Sequence, residues 1–109
     1  MLPIIVEMGV PESWRKAVLR FASELGELFG DRPIRVIALP HPEDEVYESN
    51  VLVVLRGAAQ EDVMRVMEVA VGVDERLNPL VVDEEDEEAV RMFLRAVPPA
   101  GGMWDEAEG

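Results

Sequence analysis

The first helix-like pattern of apolar residues lies between two residues that are typical of helix ends. Pro11 fits a first helical position, and Gly30 fits the residue that follows a last one. Between them, apolar side chains recur at intervals of four, three, four and three residues, which predicts a long amphipathic helix with an inner face made of Trp14, Val18, Phe21, Leu25 and Leu28.

Two further helices are predicted downstream. The second covers Ala58 to Val71, follows a turn at Arg56 and Gly57, and stops at Gly72. Its apolar residues form one predicted stripe: Val63, Val66, Met67, Ala70 and Val71. The third helix follows the acidic run Asp83 to Glu88, and its apolar positions are Val90, Phe93, Leu94 and Val97.

Short apolar runs between these helices predict strands. Ile34 to Leu39 lies between prolines, and Leu80 to Val82 follows Pro79. Val51 to Leu55 is an uninterrupted run of β-branched residues and Leu, the pattern of a strand buried on both faces. Leu2 to Met8 fits either a short edge strand or an unstructured lead-in.

This order of elements in 109 residues predicts one α/β (α+β) domain over residues 1–97, a small mixed sheet of three to four strands packed by three helices. We expect Pro98 to Gly109 to be a flexible acidic tail, whose Trp104 could anchor on a partner or on the domain itself. The predicted core consists of Val18, Phe21, Leu25, Val36, Leu52, Val53, Val54, Val66, Phe93 and Leu94.

Charge is distributed unevenly. Residues 1–37 contain five acids and five bases, so the rest of the chain carries the whole net charge of −13. Such an acidic surface repels nucleic acid, although a local patch of Arg15, Lys16 and Arg20 could contact phosphate. The bases are nearly all Arg, which is typical of proteins from hot environments and also follows from nucleotide composition alone.

The chain contains no cysteine, which excludes disulfides, thiolate nucleophiles and cysteine metal sites. Its first residues lack the pattern of a secretory signal, and no stretch is long and apolar enough for a membrane-spanning helix. We therefore expect a cytoplasmic protein without a membrane partner.

The run Asp83 to Glu88 has two interpretations. Carboxylates near a helix N-terminus interact favourably with its partial positive charge, and Arg91 and Arg95 lie toward the other end of the same predicted helix. A metal site is the alternative, but the run lacks the glycine of a calcium-binding loop.

Few residues offer catalytic chemistry. His41 is the single histidine, so it is either a lone general base or an exposed residue of the loop Pro40 to Ser49. Glu48 and Asn50 immediately precede the central strand, and a strand's period of two predicts that both side chains share a face. Paired carboxylates at such an edge can hold divalent cations with a nucleotide triphosphate, but here one of the two is an amide.

The order of elements, together with three local sequences, resembles the minimal nucleotidyltransferases of the DNA polymerase β superfamily. The similarity spans about residues 15–95. The segments that carry it are Glu24 to Gly30 with Arg35 to Leu39, Leu52 to Gly57, and Asn78 to Glu85. The resemblance implies a nucleotidyltransferase-like fold. It also implies a separate small helical protein as partner, in a toxin–antitoxin-like module.

The residues that carry catalysis in that family differ in this chain. The family's Gly-Ser, which holds the triphosphate, corresponds to Pro40 and His41, and its Asp-x-Asp metal pair corresponds to Glu48 and Asn50. The third carboxylate of the family has no acidic counterpart near Asn78 to Leu80. The resemblance therefore indicates a degenerate, non-catalytic member that binds a protein and holds no cofactor.

Two alternatives remain at this point. In the first, the chain is an active nucleotidyltransferase that uses ATP and magnesium, with Glu48 as the surviving ligand and His41 or Asp44 compensating. In the second, a strand at Leu2 to Met8 gives the β-α-β-β-α-β order of a ferredoxin-like module, a scaffold for small-ligand binding or homodimers.

Overall fold

Residues 4–5 and 11–97 are described by a computed structural model of the chain. The elements, in chain order, are β1 (Ile4–Ile5), α1 (Glu12–Phe29), β2 (Pro33–Ala38), β3 (Val51–Leu55), α2 (Gln60–Val73), β4 (Pro79–Asp83) and α3 (Glu87–Ala96). The prediction of a small mixed sheet with three helices is confirmed. The predicted tail from Pro98 to Gly109, with Trp104, lies outside the described residues.

The four strands form one sheet in the order β1, β2, β3, β4. β1 pairs with β2 in parallel, β2 with β3 antiparallel, and β3 with β4 in parallel. Ile4–Ile5 is thus a strand, whereas the rest of the stretch predicted as either strand or lead-in is not described. In a ferredoxin-like split unit another strand separates the first two, so the direct pairing of β1 with β2 contradicts that arrangement.

The sheet lies between two helical layers because its central strands alternate their side chains between two faces. On one face, α1 and α2 cover Val36, Ala38, Val51, Val53 and Leu55. On the other face, α3 covers Ile37, Leu39, Leu52 and Val54. All five residues of β3 are buried, which confirms the prediction of a strand enclosed on both sides.

Nine of the ten predicted core residues are buried, and Leu94 is half-buried against the α3 side. On α1 the predicted stripe is right except at its end, where Leu28 is 46% exposed and its neighbour Phe29 is buried instead.

The buried face of α2 differs from the predicted one, so the predicted stripe is wrong. Val66 and Ala70 are buried, but Val63, Met67 and Val71 are exposed. The helix also continues through Gly72 to Val73, so Gly72 does not end it. Asp62 is the residue that shifts the register, because it is buried at the start of α2, on the side of the helix that bears Val66.

The buried Asp62 carboxylate is stabilised because Arg32 neutralises its charge and donates hydrogen bonds to it. The Arg32 guanidinium donates to Asp62 Oδ2 at 2.7 Å and to the backbone carbonyls of Arg56 and Gly57 at 3.1 Å each. Asp62 Oδ2 also accepts from the backbone N–H of Ala59 at 2.9 Å. This cluster ties the turn before β2 to the turn before α2 and orients the first turn of α2.

Within the part of the chain that the structure describes, no helix has the length and apolar character needed to cross a bilayer. The cytoplasmic location remains a prediction.

Candidate functional site at one edge of the sheet

Three neighbouring strands, β2, β3 and β4, bring their polar flanking residues to the same end of the sheet. β2 ends at Ala38, while β3 and β4, which run in the opposite direction, begin at Val51 and Pro79. Four polar segments therefore meet at this end of the sheet, around Pro40, Glu48, Asn50 and Asn78.

Asn50 is the centre of this edge. It is only 3% exposed, and its amide nitrogen Nδ2 donates to the carbonyl oxygens of Pro42 at 2.7 Å and Arg76 at 2.8 Å. Its Oδ1 accepts from the backbone N–H of Asn78 at 2.9 Å. Both donors and the acceptor of this side chain are thus engaged, so Asn50 joins the loop after β2, the loop after α2 and the start of β4.

The hydrogen bonds of Asn50 bear on the predicted metal pair of Glu48 and Asn50. The Asn50 oxygen accepts from a backbone N–H, and its nitrogen donates to two carbonyls, so the side chain is held by backbone partners on both sides of its amide. A carboxylate in this place would bring one of its oxygens against two carbonyl oxygens. Asn50 is a structural amide whose polar atoms bind backbone partners.

Glu48 lies outside the strand, so the prediction that it shares a face with Asn50 is wrong. Tyr47 and Glu48 have φ angles of 55° and 63°, the left-handed region that non-glycine residues rarely adopt. They are the central residues of a tight turn in which Val46 and Ser49 exchange backbone hydrogen bonds of 2.8 and 3.0 Å. The Glu48 side chain is exposed, and the backbone carbonyl of Glu48 accepts a hydrogen bond from Nδ2 of Asn78 at 2.7 Å.

His41 is an exposed residue of a locally closed turn. Its backbone N–H donates to Oδ2 of Asp44 at 3.1 Å, and its carbonyl accepts from the backbone N–H of Asp44 at 3.0 Å. The His41 Nδ1 atom is 3.5 Å from the same Asp44 oxygen. The backbone N–H of His41 is therefore engaged by Asp44, and Pro40 has no backbone N–H.

Arg76, Asp74 and Trp14 form a second group of contacts at this edge, on the side of α1. The Arg76 guanidinium donates to both carboxylate oxygens of Asp74, at 3.0 and 2.8 Å, and lies 5.8 Å from the centroid of the Trp14 ring. The hydrogen bond from Arg76 holds the pKa of the Asp74 carboxyl below its usual value. Trp14 itself is fully buried and donates from Nε1 to the Leu39 carbonyl at 2.8 Å. These contacts connect the loop after α2 to α1 and to the residue that follows β2.

A groove of about 390 Å³ adjoins the edge on the α3 side of the sheet. Its floor is apolar and its rim is acidic, and it is lined by Tyr47, Leu80, Val82, Asp86, Glu88 and Ala89. Tyr47 is 53% exposed on the turn just described. The groove is therefore lined by Tyr47 from the loop that contains Glu43, Asp44, Glu45 and Glu48, and by Asp86 and Glu88 from the acidic run.

The acidic run has a structural role at the start of α3. Asp86 is the N-cap and accepts from the backbone N–H of Ala89 at 3.1 Å, and Glu87 and Glu88 occupy the first turn. This is the interpretation of carboxylates that stabilise a helix N-terminus. Across residues 4–5 and 11–97, no three or more His, Asp or Glu side chains are grouped in a way that could hold a metal ion.

The predicted phosphate-contacting patch on α1 is partly neutralised. Lys16 lies 3.7 Å from Glu12, and Arg20 lies 3.0 Å from Glu24, each pair on the same helix. All three cations are exposed, but two of them have an anionic neighbour.

Sequence reasoning missed the parts of this edge that depend on distant residues. Asn78, 28 residues from Asn50, closes the site, and Arg76 supplies a carbonyl to it. The conformation of Tyr47 was also missed, because neither Tyr nor Glu is a residue that signals a left-handed turn.

Comparison with models of protein families, with curated proteins and with solved structures finds no match for this chain. The similarity to nucleotidyltransferases therefore remains a prediction from the sequence.

Proposed function

We propose that this chain is a nucleotidyltransferase-like domain that does not transfer nucleotides and instead binds a protein partner through its acidic groove. The observation that carries the proposal is the engagement of Asn50. Its amide holds three backbone segments together at the position where an active relative needs a metal-binding carboxylate.

The remaining positions of the family pattern support the same proposal. The backbone N–H of His41 is directed to Asp44, and Pro40 has no N–H to offer a phosphate. Glu48 is a single exposed carboxylate on a turn, and one such group in solvent binds a divalent cation weakly because hard cations need several converging oxygens.

The chemistry of the groove favours a particular kind of partner. Its apolar floor of Leu80, Val82 and Ala89 gives a contact that can be removed from water, and the carboxylates around it attract cations. A protein segment with Lys or Arg side chains around an apolar centre matches this surface. The small helical partner that the resemblance implies is one such protein.

The test is a comparison of binding by the full chain and by a variant in which three acids are neutralised: Glu88→Gln in the lining of the groove, and Glu48→Gln and Glu85→Gln next in sequence to the lining residues Tyr47 and Asp86. These positions leave the capping residue Asp86 intact. A matched control removes three exposed acids elsewhere, Glu12→Gln, Glu27→Gln and Asp31→Asn. The probe is a synthetic basic amphipathic peptide, and binding is measured by calorimetry at low and high salt.

We expect the wild type and the control to bind the peptide with affinity that falls as salt rises, and the groove variant to bind at least about tenfold more weakly. Equal affinity of the groove variant and the control would refute the role of the groove. It would leave only the general attraction of a polyanion for a polycation.

A further inference from the structure

The outer edge of β4 has no strand beside it in the part of the chain that the structure describes. Among the described strands, β4 is the last of the sheet and pairs with β3 alone. All five residues of β3 are buried, whereas Leu80, Val81, Val82 and Asp83 of β4 are half-buried. An edge strand of this kind presents unpaired backbone N–H and C=O groups to its surroundings.

The hydrogen bonds on the other side of β3 show which of its residues face β4. Just before β3, the Asn50 carbonyl accepts from the Leu39 N–H at 2.9 Å. Just after β3, the Arg56 N–H donates to the Arg32 carbonyl at 2.9 Å. Backbone groups of successive strand residues point to alternate sides, so the even-numbered residues of β3 bond to β2 and the odd-numbered ones bond to β4.

The parallel register of β3 and β4 then fixes the direction of each residue in β4. Val53 lies opposite Val81. In a parallel pair, such a residue bonds to the two neighbours of the residue opposite, which here are Leu80 and Val82. The backbone groups of Val81 therefore point away from β3, toward the open edge.

Pro79 and Asp83, two positions either side of Val81, face the open edge as well. Pro79 has no N–H, and the Asp83 carbonyl already accepts from the Asp86 N–H at 3.1 Å. The remaining groups are the N–H of Val81 and of Asp83 and the carbonyls of Pro79 and Val81, and none of them has a hydrogen-bond partner among the described residues. Two donors and two acceptors at strand spacing form a template for an extended segment that adds to the sheet.

The groove lies beside this edge on the α3 side of the sheet. Leu80 and Val82 form part of its floor, so the side chains of an added segment that lie next to them point into the groove. Asp86 and Glu88 carry the carboxylates of its lining. Long basic side chains fit there, because their aliphatic stems pack on the apolar floor and their cationic ends reach the carboxylates.

The other side of the edge is apolar. Val81 packs under the layer of α1 and α2. α1 contains three acids and three bases, and α2 contains three acids and one base, so the two helices carry only −2 of the net charge of −13.

The exposed apolar residues of α2 lie above this edge. Val69 packs on the core that α2 shares with α1, and Met67 lies about 160° around the helix from Val69. Because α1 contacts β2 and α2 contacts β4, the flank of α2 away from α1 is on the side of the open edge. Val63 and Met67 are on that flank, so the side chains of an added segment on this side meet apolar neighbours.

We propose that the basic partner binds as an added strand on the outer edge of β4, through an extended segment in which Lys or Arg alternates with apolar residues. The basic residues enter the groove, and the apolar ones lie beside Val81 under the flank of α2. A second copy of this chain would instead bring two edges that each carry Asp83, Asp86 and Glu88 together, so charge favours a basic occupant. This inference rests on the proposed function and adds the strand that is contacted and the conformation of the bound segment.

Amide hydrogen exchange of the full chain, followed by NMR, tests the edge itself. In the free chain the Val81 N–H should exchange fast, while the N–H groups of Leu80 and Val82, which bond to β3, should exchange slowly. A saturating alternating Lys-Val peptide with blocked ends should slow exchange at Val81 and Asp83 at least about tenfold. Leu80 and Val82 are the matched controls and should change little.

Backbone N-methylation of the same peptide, one position at a time, tests the pairing from the other side. In an added strand every second N–H faces β4, so methyl groups at alternate positions should weaken binding about tenfold or more. Methyl groups at the intervening positions are the matched controls and should leave the affinity unchanged. Calorimetry measures the affinities.

Two results would overturn the added strand: N-methylation that weakens binding without a period of two, or exchange at Val81 that the peptide leaves unchanged. Failure of the alternating peptide to bind, when the basic amphipathic peptide does bind, would overturn it too. In each case the proposed function stands if the groove variant still binds the amphipathic peptide more weakly than its control, and it fails as well if the two bind equally.

A Val81 N–H that is already protected in the free chain would also overturn the proposal. Protection that fades on dilution would identify a second copy of the chain as the occupant of the edge. Protection that is independent of concentration would identify a segment of the chain itself, such as residues 98–109.

Discussion

At the scale of single residues, buried polar groups hold this fold through fully matched hydrogen bonds. Asn50 engages two carbonyls and one N–H, and Asp62 engages a guanidinium and one N–H. Among the described residues, no buried side-chain polar atom lacks a partner. Such groups stabilise one arrangement of the loops, because changing either partner leaves a buried group unsatisfied.

The first prediction concerns Asn50→Asp. The new carboxylate keeps the acceptor for the Asn78 N–H but removes both donors and faces the Pro42 and Arg76 carbonyls, so we expect a loss of about 2–3 kcal/mol in the free energy of unfolding. Urea denaturation measures it. Asn78→Asp is the matched control, because that exposed side chain donates only to Glu48, and its loss should stay below about 1 kcal/mol.

If Asn50→Asp proves as stable as the wild type, the amide is not holding the edge together. The site would then tolerate the carboxylate that active nucleotidyltransferases have.

The second prediction concerns acid stability. The hydrogen bond from Arg32, with that from the Ala59 N–H, holds the pKa of the Asp62 carboxyl below its usual value. Because the unfolded chain takes up this proton at a higher pH than the folded chain, the stabilisation is complete above about pH 4 and is lost as the pH falls toward the lowered value. Asp62→Asn should therefore be less stable at pH 7 and show a shallower loss of stability below pH 4.

Asp31→Asn is the control for that measurement, since Asp31 is exposed and its side chain makes no hydrogen bond or ion pair in the described structure. Its stability should follow the wild-type pH profile. Identical profiles for Asp62→Asn and the wild type would show that the Arg32 contact does not shift the proton equilibrium.

At the scale of elements, the sequence predicted what depends on local spacing. The two-sided burial of β3 followed from an uninterrupted apolar run, and the inner face of α1 followed from its period. The phase of α2 could not be predicted, because that helix has two apolar stripes and the buried one includes an aspartate. Only the distant Arg32 makes Asp62 an inner residue, and a sequence window around α2 does not contain it.

The third prediction concerns the turn at Tyr47 and Glu48. A left-handed conformation costs a non-glycine residue on the order of 1 kcal/mol or more, while glycine adopts it freely but adds disorder to the unfolded chain. We expect Glu48→Gly to stabilise the domain by about 0.5–1 kcal/mol. Thermal and urea denaturation measure it.

Glu45→Gly in the same loop is the comparison, because Tyr47 and Glu48 are the only non-glycine residues with positive φ in the described ranges. There the same substitution should lower stability. A destabilised Glu48→Gly would mean that the turn is not left-handed at that residue.

At the scale of the whole molecule, the sheet separates two surfaces with different physical character. One is the nearly neutral layer of α1 and α2, and the other holds the acidic groove beside α3. The sequence showed that residues 1–37 balance in charge, but not that the loop after β2 and the run after β4 border one groove. The edge at Asn50 was likewise out of reach, since it depends on contacts between residues 26 and 28 positions apart.

The proposal that this chain does not transfer nucleotides is tested most directly by calorimetry of the full chain with ATP and magnesium or manganese. We expect no saturable heat at millimolar nucleotide for the wild type, because the Asn50 amide is held by backbone partners and Glu48 is a single exposed carboxylate. We expect the same for Asn50→Asp, because the new carboxylate faces the Pro42 and Arg76 carbonyls. Saturable, metal-dependent binding by the wild type that Glu48→Gln abolishes would contradict this and would establish a working metal site at the sheet edge.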